Sequence, residues 1–166
     1  LPDAGAFAPP YATAVFITGS GPQDRDETIV GHKPFLVLAD HLARRGIASL
    51  RCDDRGFGES TGSFADATTL DFADDVRAQV EYLSKVTETG AIGLIGHSEG
   101  GVVAPLVAAQ NDAVSWLVLL AGTGLPGAEV LLAQTPAIQL ADGGDPALVE
   151  EQSAAQREAL AAAIEG

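Results

Sequence analysis

The sequence predicts an α/β fold built on a parallel sheet with helices on both faces. The chain has 166 residues, of which 46% are hydrophobic and only 19% are charged, as is typical of one packed globular domain. Aromatic residues make up only 5%, so Val, Leu, Ile and Ala must fill the core, which suits strands buried between layers of helices. Strand and helix patterns alternate three times with short connections, and right-handed crossovers between them give a parallel sheet.

Four short apolar segments are predicted as buried strands, because each ends in a loop rich in Gly, Pro, Asp or Ser. They span residues 14–17, 47–51, 92–95 and 115–121. The third runs without a break into Gly96. We expect the carboxyl ends of these strands to meet at one edge of the sheet, where parallel α/β sheets place their sites.

Three helices are predicted to connect these strands. Pro34 is a favoured first helical residue, and apolar residues recur at helical spacing after it until Gly46. Thr68 with Asp71 three residues later resembles a capping box and begins the second helix. The third helix spans 99–110 and contains Pro105, which removes one backbone hydrogen bond.

After residue 127 the pattern changes to helix only. One helical segment reaches Gln139, a Gly-Gly break follows, and Asp145 and Pro146 are the predicted N-cap and first residue of another helix. The sequence therefore predicts an incomplete α/β core over residues 1–127. It predicts an incomplete helical segment, the beginning of a cap or lid, over residues 128–166.

Acidic residues outnumber basic ones 23 to 9, which gives a formal charge of −14 and an isoelectric point near 4.3. Such a surface repels phosphate backbones, so nucleic acid is not an expected partner. No segment approaches the length of a membrane span, and the first residues do not resemble a basic leader. The single Cys52 forms no internal disulfide, so the sequence slightly favours a cytoplasmic location and is compatible with export as well.

The segment Gly96-His97-Ser98-Glu99-Gly100 places a serine between a predicted buried strand and a predicted helix. A Gly-x-Ser-x-Gly turn in this setting is a nucleophile elbow, in which Ser98 is the candidate catalytic nucleophile. Gly96 and Gly100 are required because the strand and helix backbones approach closely and a Cβ would collide there. A Gly-Ser-Gly turn without chemistry is the alternative interpretation, and it leaves the match of spacing and context unexplained.

Acyl transfer at such a serine needs two backbone N–H groups that stabilise the oxyanion. The residue after the nucleophile, Glu99, supplies one of them. The second is expected from the loop after the first strand, where Ser20 is the best candidate. No metal and no organic cofactor is expected for this chemistry.

The loops after the first two strands concentrate charge. The charged residues singled out there are Asp24, Arg25, Asp26, Glu27, Asp53, Asp54 and Arg55. Carboxylates at alternate positions can share a hard cation, but their spacing here matches no calcium loop. We interpret the three acids around Arg25 as partners of that arginine in an ion-pair network, and Arg55 as a brace bound to Asp53 or Asp54.

Three motifs together resemble bacterial α/β-hydrolase carboxylesterases of the EstD type. They lie at residues 18–26, 53–60 and 96–101, and the resemblance extends from about Ala14 to Ala121. It implies a partial α/β-hydrolase fold and a serine esterase that cleaves small carboxylic esters through an acyl-enzyme at Ser98.

Two departures from the family pattern stand out. Thr18 occupies the position before the first glycine of the oxyanion loop, where family members usually carry His. The family triad follows the order Ser, acid, His, yet no His follows His97, so the acid and the base have no candidate. We expect His32 and His41 to have surface or packing roles and His97 to be a buried, hydrogen-bonded packing residue.

The missing histidine leaves several interpretations. We expect the sequence to be an excerpt of a longer hydrolase, with the half-sheet covered by the remaining segments or by a second copy of the chain. A serine peptidase or aminopeptidase of the same fold is an alternative, and so is a catalytically inactive binding domain. We expect Ser98 to lie between the strands that end at Gly19 and Arg51, with neither His32 nor His41 at hydrogen-bond distance.

Overall fold

The computed structural model describes residues 1–165 and divides into two compact units, Leu1–Gly122 and a second that begins at Thr123. Four strands form one fully parallel sheet in the order β2-β1-β3-β4. The strands are β1 (Tyr11–Ile17), β2 (Ala48–Leu50), β3 (Thr89–His97) and β4 (Val114–Leu120). The predicted α/β class is therefore confirmed.

Three helices belong to the first unit and two to the second. They are α1 (Pro34–Ala43), α2 (Thr69–Leu83), α3 (Gly100–Ala108), α4 (Gly127–Ala141) and α5 (Pro146–Glu165). The predicted capping box starts α2, where the Asp71 carboxylate accepts hydrogen bonds from the Thr68 N–H at 2.8 Å and hydroxyl at 2.6 Å. Asp145 accepts a bond from the Ala147 N–H at 2.8 Å at the start of α5, as an N-cap residue does.

Alternate residues of β1 face two separate apolar clusters, because successive side chains of a strand point to opposite faces. Val15 and Ile17 pack with α2 and α3 on one face. Ala14 and Phe16 pack with α1 on the other, where the Phe16 and Phe35 rings lie 4.8 Å apart. Helices on both faces explain why β1 is an almost continuous apolar run.

The order of the strands corrects one expectation. The neighbours of β3 are β1 and β4, so Ser98 follows a strand that lies beside the one ending at Ile17. The strand that leads to Arg51 is β2, which pairs only with the far side of β1. The chain adds β2 on one side of β1 and β3 on the other, and such a reversal is where open α/β sheets place their ligands.

The strand β4 forms one outer edge of the sheet. Leu117, Val118 and Leu119 are 37–48% exposed, although they lie in an apolar strand. Trp116 of the same strand packs over Gly93 of β3, where any Cβ would collide with the indole ring. Within residues 1–165 this edge is joined to the sheet on one side and has no neighbouring strand on the other.

In the second unit, α4 and α5 pack against each other. Gln139 donates a hydrogen bond to Gln152 at 2.8 Å, and Val149 and Ser153 are buried. No helix within residues 1–165 has the length and apolar character needed to cross a bilayer. The assignment of residues 128–166 to a cap or lid, and of 1–127 to the core, stays a prediction.

Candidate active site

Ser98 lies on the turn that joins the carboxyl end of β3 to α3. Its backbone has φ +51°, in the left-handed region that non-glycine residues rarely occupy. The Ser98 N–H donates to the Leu120 carbonyl at 2.9 Å, and its own carbonyl accepts from the Gly101 N–H at 2.9 Å. These bonds hold a strained turn against the end of the neighbouring strand, as expected of a nucleophile elbow.

The glycines of this turn are required by close backbone approach. A Cβ on Gly96 would collide with the Gly100 carbonyl, and one on Gly100 would collide with the Ile17 carbonyl of β1. Behind them, Gly101 packs against Gly122 at the end of β4. The turn is therefore wedged between the ends of both neighbouring strands.

The loop after β1 is tied to the loop after β2 through Asp54. Its carboxylate accepts from the Thr18 hydroxyl at 2.7 Å and from the Gln23 N–H at 2.9 Å. Burial raises the pKa of Asp54, and the two hydrogen bonds partly oppose that effect. Thr18 thus anchors the loop to its neighbour.

Arg25 pairs across the two loops, which corrects the predicted network within its own segment. It binds Asp53, with an Nη2 to Oδ2 distance of 2.7 Å, and the exposed Glu59 at 2.6 Å. Asp53 is buried and also accepts from the backbone N–H groups of Arg25 and Glu59. The Arg25 guanidinium and these bonds hold the pKa of Asp53 well below its usual range.

The other predicted partners are also different. Asp26 pairs with Lys33 and Arg51 rather than with Arg25. Arg55 does not bind the aspartates that precede it: it reaches α2, where its Nε lies 2.7 Å from Asp75 Oδ2. The turns of these loops separate the side chains of neighbouring residues, so the charges pair with residues farther along the chain. Within residues 1–165, no three potential metal ligands come together.

Glu27 joins the loop after β1 to the serine turn, a role that sequence reasoning missed. The residue is only 1% exposed, and Oε1 accepts the Gly19 N–H at 2.8 Å and His97 Nδ1–H at 2.7 Å. His97 is therefore hydrogen-bonded as expected, although a third of its side chain is exposed. No pattern in the sequence separates Glu27 from the other acids of its loop.

Two backbone donors near the turn remain unengaged. Within the described part of the chain, neither the Ser20 N–H nor the Glu99 N–H has a hydrogen-bond acceptor. The Gly19 N–H, which precedes Ser20, is used by Glu27. The Glu99 side chain points toward α2 and accepts from the Thr69 hydroxyl at 2.8 Å.

No histidine within residues 1–165 is hydrogen-bonded to Ser98 as a general base would be. No hydrogen bond within residues 1–165 involves the Ser98 hydroxyl, and the Nδ1 of His97 is bonded to Glu27 instead. His41 contacts Arg45 on α1, and His32 forms an isolated backbone bridge with Ile29. The expectation that neither of these two histidines pairs with Ser98 is met by the geometry.

A cavity of about 290 Å³ adjoins this edge of the sheet within the first unit. Its walls include Gly19 and Glu99 from the site and the stacked rings of Phe64 and Phe72. The Cys52 thiol also lines it, and burial raises the pKa of that thiol, which disfavours the reactive thiolate. The candidate nucleophile is not among the lining residues, so the cavity lies beside the reacting position.

The geometry agrees with the comparison to known families. The family model described as serine aminopeptidase, S33, matches residues 33–150. The chain belongs to this family of α/β-hydrolases.

The proteins to which this chain is similar include esterases and a serine hydrolase. Esterase EstD of Thermotoga maritima is 32% identical over 134 residues, which are 78% of this chain and 31% of EstD. The structure of Est1E from Butyrivibrio proteoclasticus with bound ferulic acid is 26% identical, with a TM-score of 0.59, over 78% of this chain and 47% of Est1E. XC6422 of Xanthomonas campestris, a lidless α/β serine hydrolase, is 28% identical with a TM-score of 0.51, over 66% of this chain and 47% of its own.

The chain spans about a third of the length of EstD and about half of the two solved relatives. The match confirms the α/β-hydrolase fold and the resemblance to EstD-type esterases. The role of each site residue is a matter for the proposal that follows.

Proposed function

We propose that the protein hydrolyses carboxylic esters through an acyl-enzyme formed at Ser98. The observation that carries the proposal is the strained left-handed backbone of Ser98 at the carboxyl end of β3. Left-handed backbone at a non-glycine residue costs of order 1–3 kcal/mol and is concentrated at functional sites. The two unengaged N–H groups of Ser20 and Glu99 support the same function, because a tetrahedral intermediate needs such donors.

In this mechanism Ser98 Oγ attacks the ester carbonyl and transfers its proton to a general base. The carbonyl oxygen becomes an oxyanion that accepts hydrogen bonds from the Glu99 and Ser20 N–H groups. The alkoxide leaves as the alcohol after protonation by the same base, and an acyl-Ser98 ester remains. Water, deprotonated by the base, then attacks the acyl carbon and releases the carboxylic acid and free Ser98. The start of α3 adds the positive end of a helix dipole.

The acid and base of the triad are proposed to come from outside residues 1–165. The Ser98 hydroxyl has no partner within the described chain, and the relatives are two to three times longer than the matched region. The second unit is proposed as the start of a cap or lid segment. It is all-helical, and its helices α4 and α5 follow β4 in the chain.

Esters are favoured over amides as substrates. EstD is named as an esterase, and Est1E was solved with ferulic acid, an aromatic carboxylic acid. A second candidate, removal of amino-terminal residues from peptides, is favoured by the family description. Both reactions use the same acyl-transfer geometry, so the site described here fits either.

The test uses the full-length protein and a fluorophosphonate probe, with p-nitrophenyl acetate and aminoacyl-p-nitroanilides as substrates. We expect covalent labelling at Ser98, located by mass spectrometry, and hydrolysis of the short ester in preference to the anilides. Ser98→Ala should abolish labelling and lower turnover by on the order of 10⁶. Ser115→Ala on the exposed part of β4 is the matched control and should react like the parent.

Labelling that persists in Ser98→Ala would overturn the assignment of the nucleophile. Efficient anilide hydrolysis with slow ester hydrolysis would favour the aminopeptidase. A parent protein that neither labels nor turns over either substrate would favour an inactive binding domain.

A further inference from the structure

We propose that Glu27 is a positioning residue that fixes the oxyanion loop to the serine turn and selects Ser20 as the oxyanion donor. The proposal rests on the proposed function, because it assigns a task within the same reaction. Glu27 is not proposed to touch the substrate. It acts through Gly19 on one side and through His97 on the other.

One carboxylate oxygen makes both contacts. Glu27 Oε1 accepts the Gly19 N–H at 2.8 Å and His97 Nδ1–H at 2.7 Å, so the two segments meet at a single atom. The segments also approach each other closely, since a Cβ built on Gly19 would lie 3.3 Å from Ser98 Cβ, tighter than ordinary van der Waals contact. Loss of the Glu27 acceptor would therefore release the loop from its fixed position beside the nucleophile.

The backbone conformation at Glu27 directs its side chain into the protein interior. Glu27 has φ +51°, which is unfavourable for a residue with a Cβ. Asp24 stabilises that conformation: its carbonyl accepts the Glu27 N–H at 2.9 Å, and its carboxylate accepts the Thr28 N–H and hydroxyl at 2.9 and 2.6 Å. Strain held in place by surrounding bonds marks a conformation that the rest of the structure imposes.

The consequence for catalysis is a choice of donor. Because the Gly19 N–H donates to Glu27, the next N–H along the loop, that of Ser20, remains available for the oxyanion. A loop released from Glu27 presents Gly19 and Ser20 in varying orientations and loses its preorganised donor. Oxyanion donors act in the transition state, so the loss should appear in kcat rather than in KM.

The experiment compares three variants of the full-length protein. Glu27→Met keeps the length of the side chain and removes the oxygen acceptor. Glu27→Gln keeps one oxygen, which can accept both hydrogen bonds because both reach the same atom. Val80→Ala truncates a fully buried side chain elsewhere in the core and serves as the control for lost stability.

Glu27→Met should lower kcat for p-nitrophenyl acetate by on the order of 10²–10³, with KM within about threefold of the parent. Glu27→Gln should recover most of that loss. Val80→Ala should keep the kcat of the parent at temperatures below its own melting transition. The His97 Nδ1–H proton resonance should be visible in the parent and in Ser98→Ala, and lost in Glu27→Met.

The inference is overturned if Glu27→Met loses no more kcat than Val80→Ala, or if Glu27→Gln is as impaired as Glu27→Met. Absence of the protected His97 resonance in the parent overturns it as well. A parent that is never labelled at Ser98 overturns the proposed function and the catalytic role together. The His97 resonance distinguishes that result from loss of the Glu27 bridge, because it does not depend on activity.

Discussion

The turn after β3 and the loop after β1 lie at the same edge of the sheet and are held by different forces. The turn around Ser98 is fixed by steric exclusion, because a side-chain atom on Gly96 or Gly100 would collide with a neighbouring backbone. The loop after β1 is held by attraction, because the buried carboxylates of Glu27 and Asp53 and the half-buried one of Asp54 accept hydrogen bonds from distant segments.

This difference predicts which changes of pH or sequence would disrupt each segment. A turn defined by close backbone contact is insensitive to pH and intolerant of a single added carbon, because no flexible group can yield. A loop defined by carboxylates tolerates changes of side-chain size at its surface but depends on charge and on each acceptor oxygen. The site needs both segments in their correct positions. It is therefore sensitive both to an added carbon in the turn and to the loss of a carboxylate acceptor in the loop.

The largest effect is expected from Gly100→Val. Its branched Cβ would enter the space of the Ile17 carbonyl, which belongs to a buried strand and cannot move away. We expect a loss of more than about 4 kcal/mol in the free energy of unfolding, measured by chemical denaturation, with loss of ester hydrolysis. Gly124→Val is the control, since a Cβ at Gly124 meets nothing within 4 Å. Equal stability of the two variants would contradict the tight packing of the turn.

A smaller effect, with a dependence on pH, is expected from Asp53→Asn. The pKa of Asp53 is lowered in the folded state, chiefly by Arg25, so its contribution to stability is present above the ordinary aspartate pKa. That contribution is lost as the pH falls through the lowered pKa. Chemical denaturation from pH 7 to pH 3 should show a free energy of unfolding about 2 kcal/mol lower in Asp53→Asn than in the parent at pH 7.

The difference between Asp53→Asn and the parent should shrink as the pH falls below about 4. Glu59→Gln is the control, because Glu59 binds the same arginine from an 85% exposed position and should change stability little. A difference that stays constant down to pH 3 would show that the carboxylate charge does not stabilise this loop.

The smallest effect is expected from Ser98→Gly, and its sign is opposite. Glycine adopts φ +51° without steric penalty, whereas Ser98→Ala keeps the Cβ and the strain. We expect Ser98→Gly to be no less stable than Ser98→Ala, and more stable by about 0.5–1 kcal/mol where relief of strain exceeds the added chain entropy. The two inactive variants are compared by thermal denaturation. A clearly less stable glycine variant would argue that Ser98 is not strained.

Much of the fold was predictable because the signals are local. The strand at Ala14, Val15, Phe16 and Ile17 and the helix start at Pro34 follow from patterns within a few residues. The requirement for glycine at Gly96 also comes from one short turn. Strand order cannot be predicted in this way, because no local pattern records which side of β1 receives β2. For that reason the prediction that the strand ending at Arg51 flanks Ser98 was wrong.

The carboxylate network was predicted least well, because its pairs are long-range. Arg25 and Asp53 are 28 residues apart, and Glu27 and His97 are 70 apart. Several acids of the same loop are equivalent by composition, and only the folded backbone decides which one turns inward. Sequence alone identified Ser98, Ser20 and Glu99 as candidates because they belong to a strand-turn-helix motif and the loop beside it.

The edge of β4 shows what a further strand of this sheet would have to supply. Within residues 1–165, Leu117, Val118 and Leu119 are exposed along a strand whose outer N–H and C=O groups have no neighbouring strand. A strand added along this edge would pair with those groups by backbone hydrogen bonds and would cover the apolar side chains.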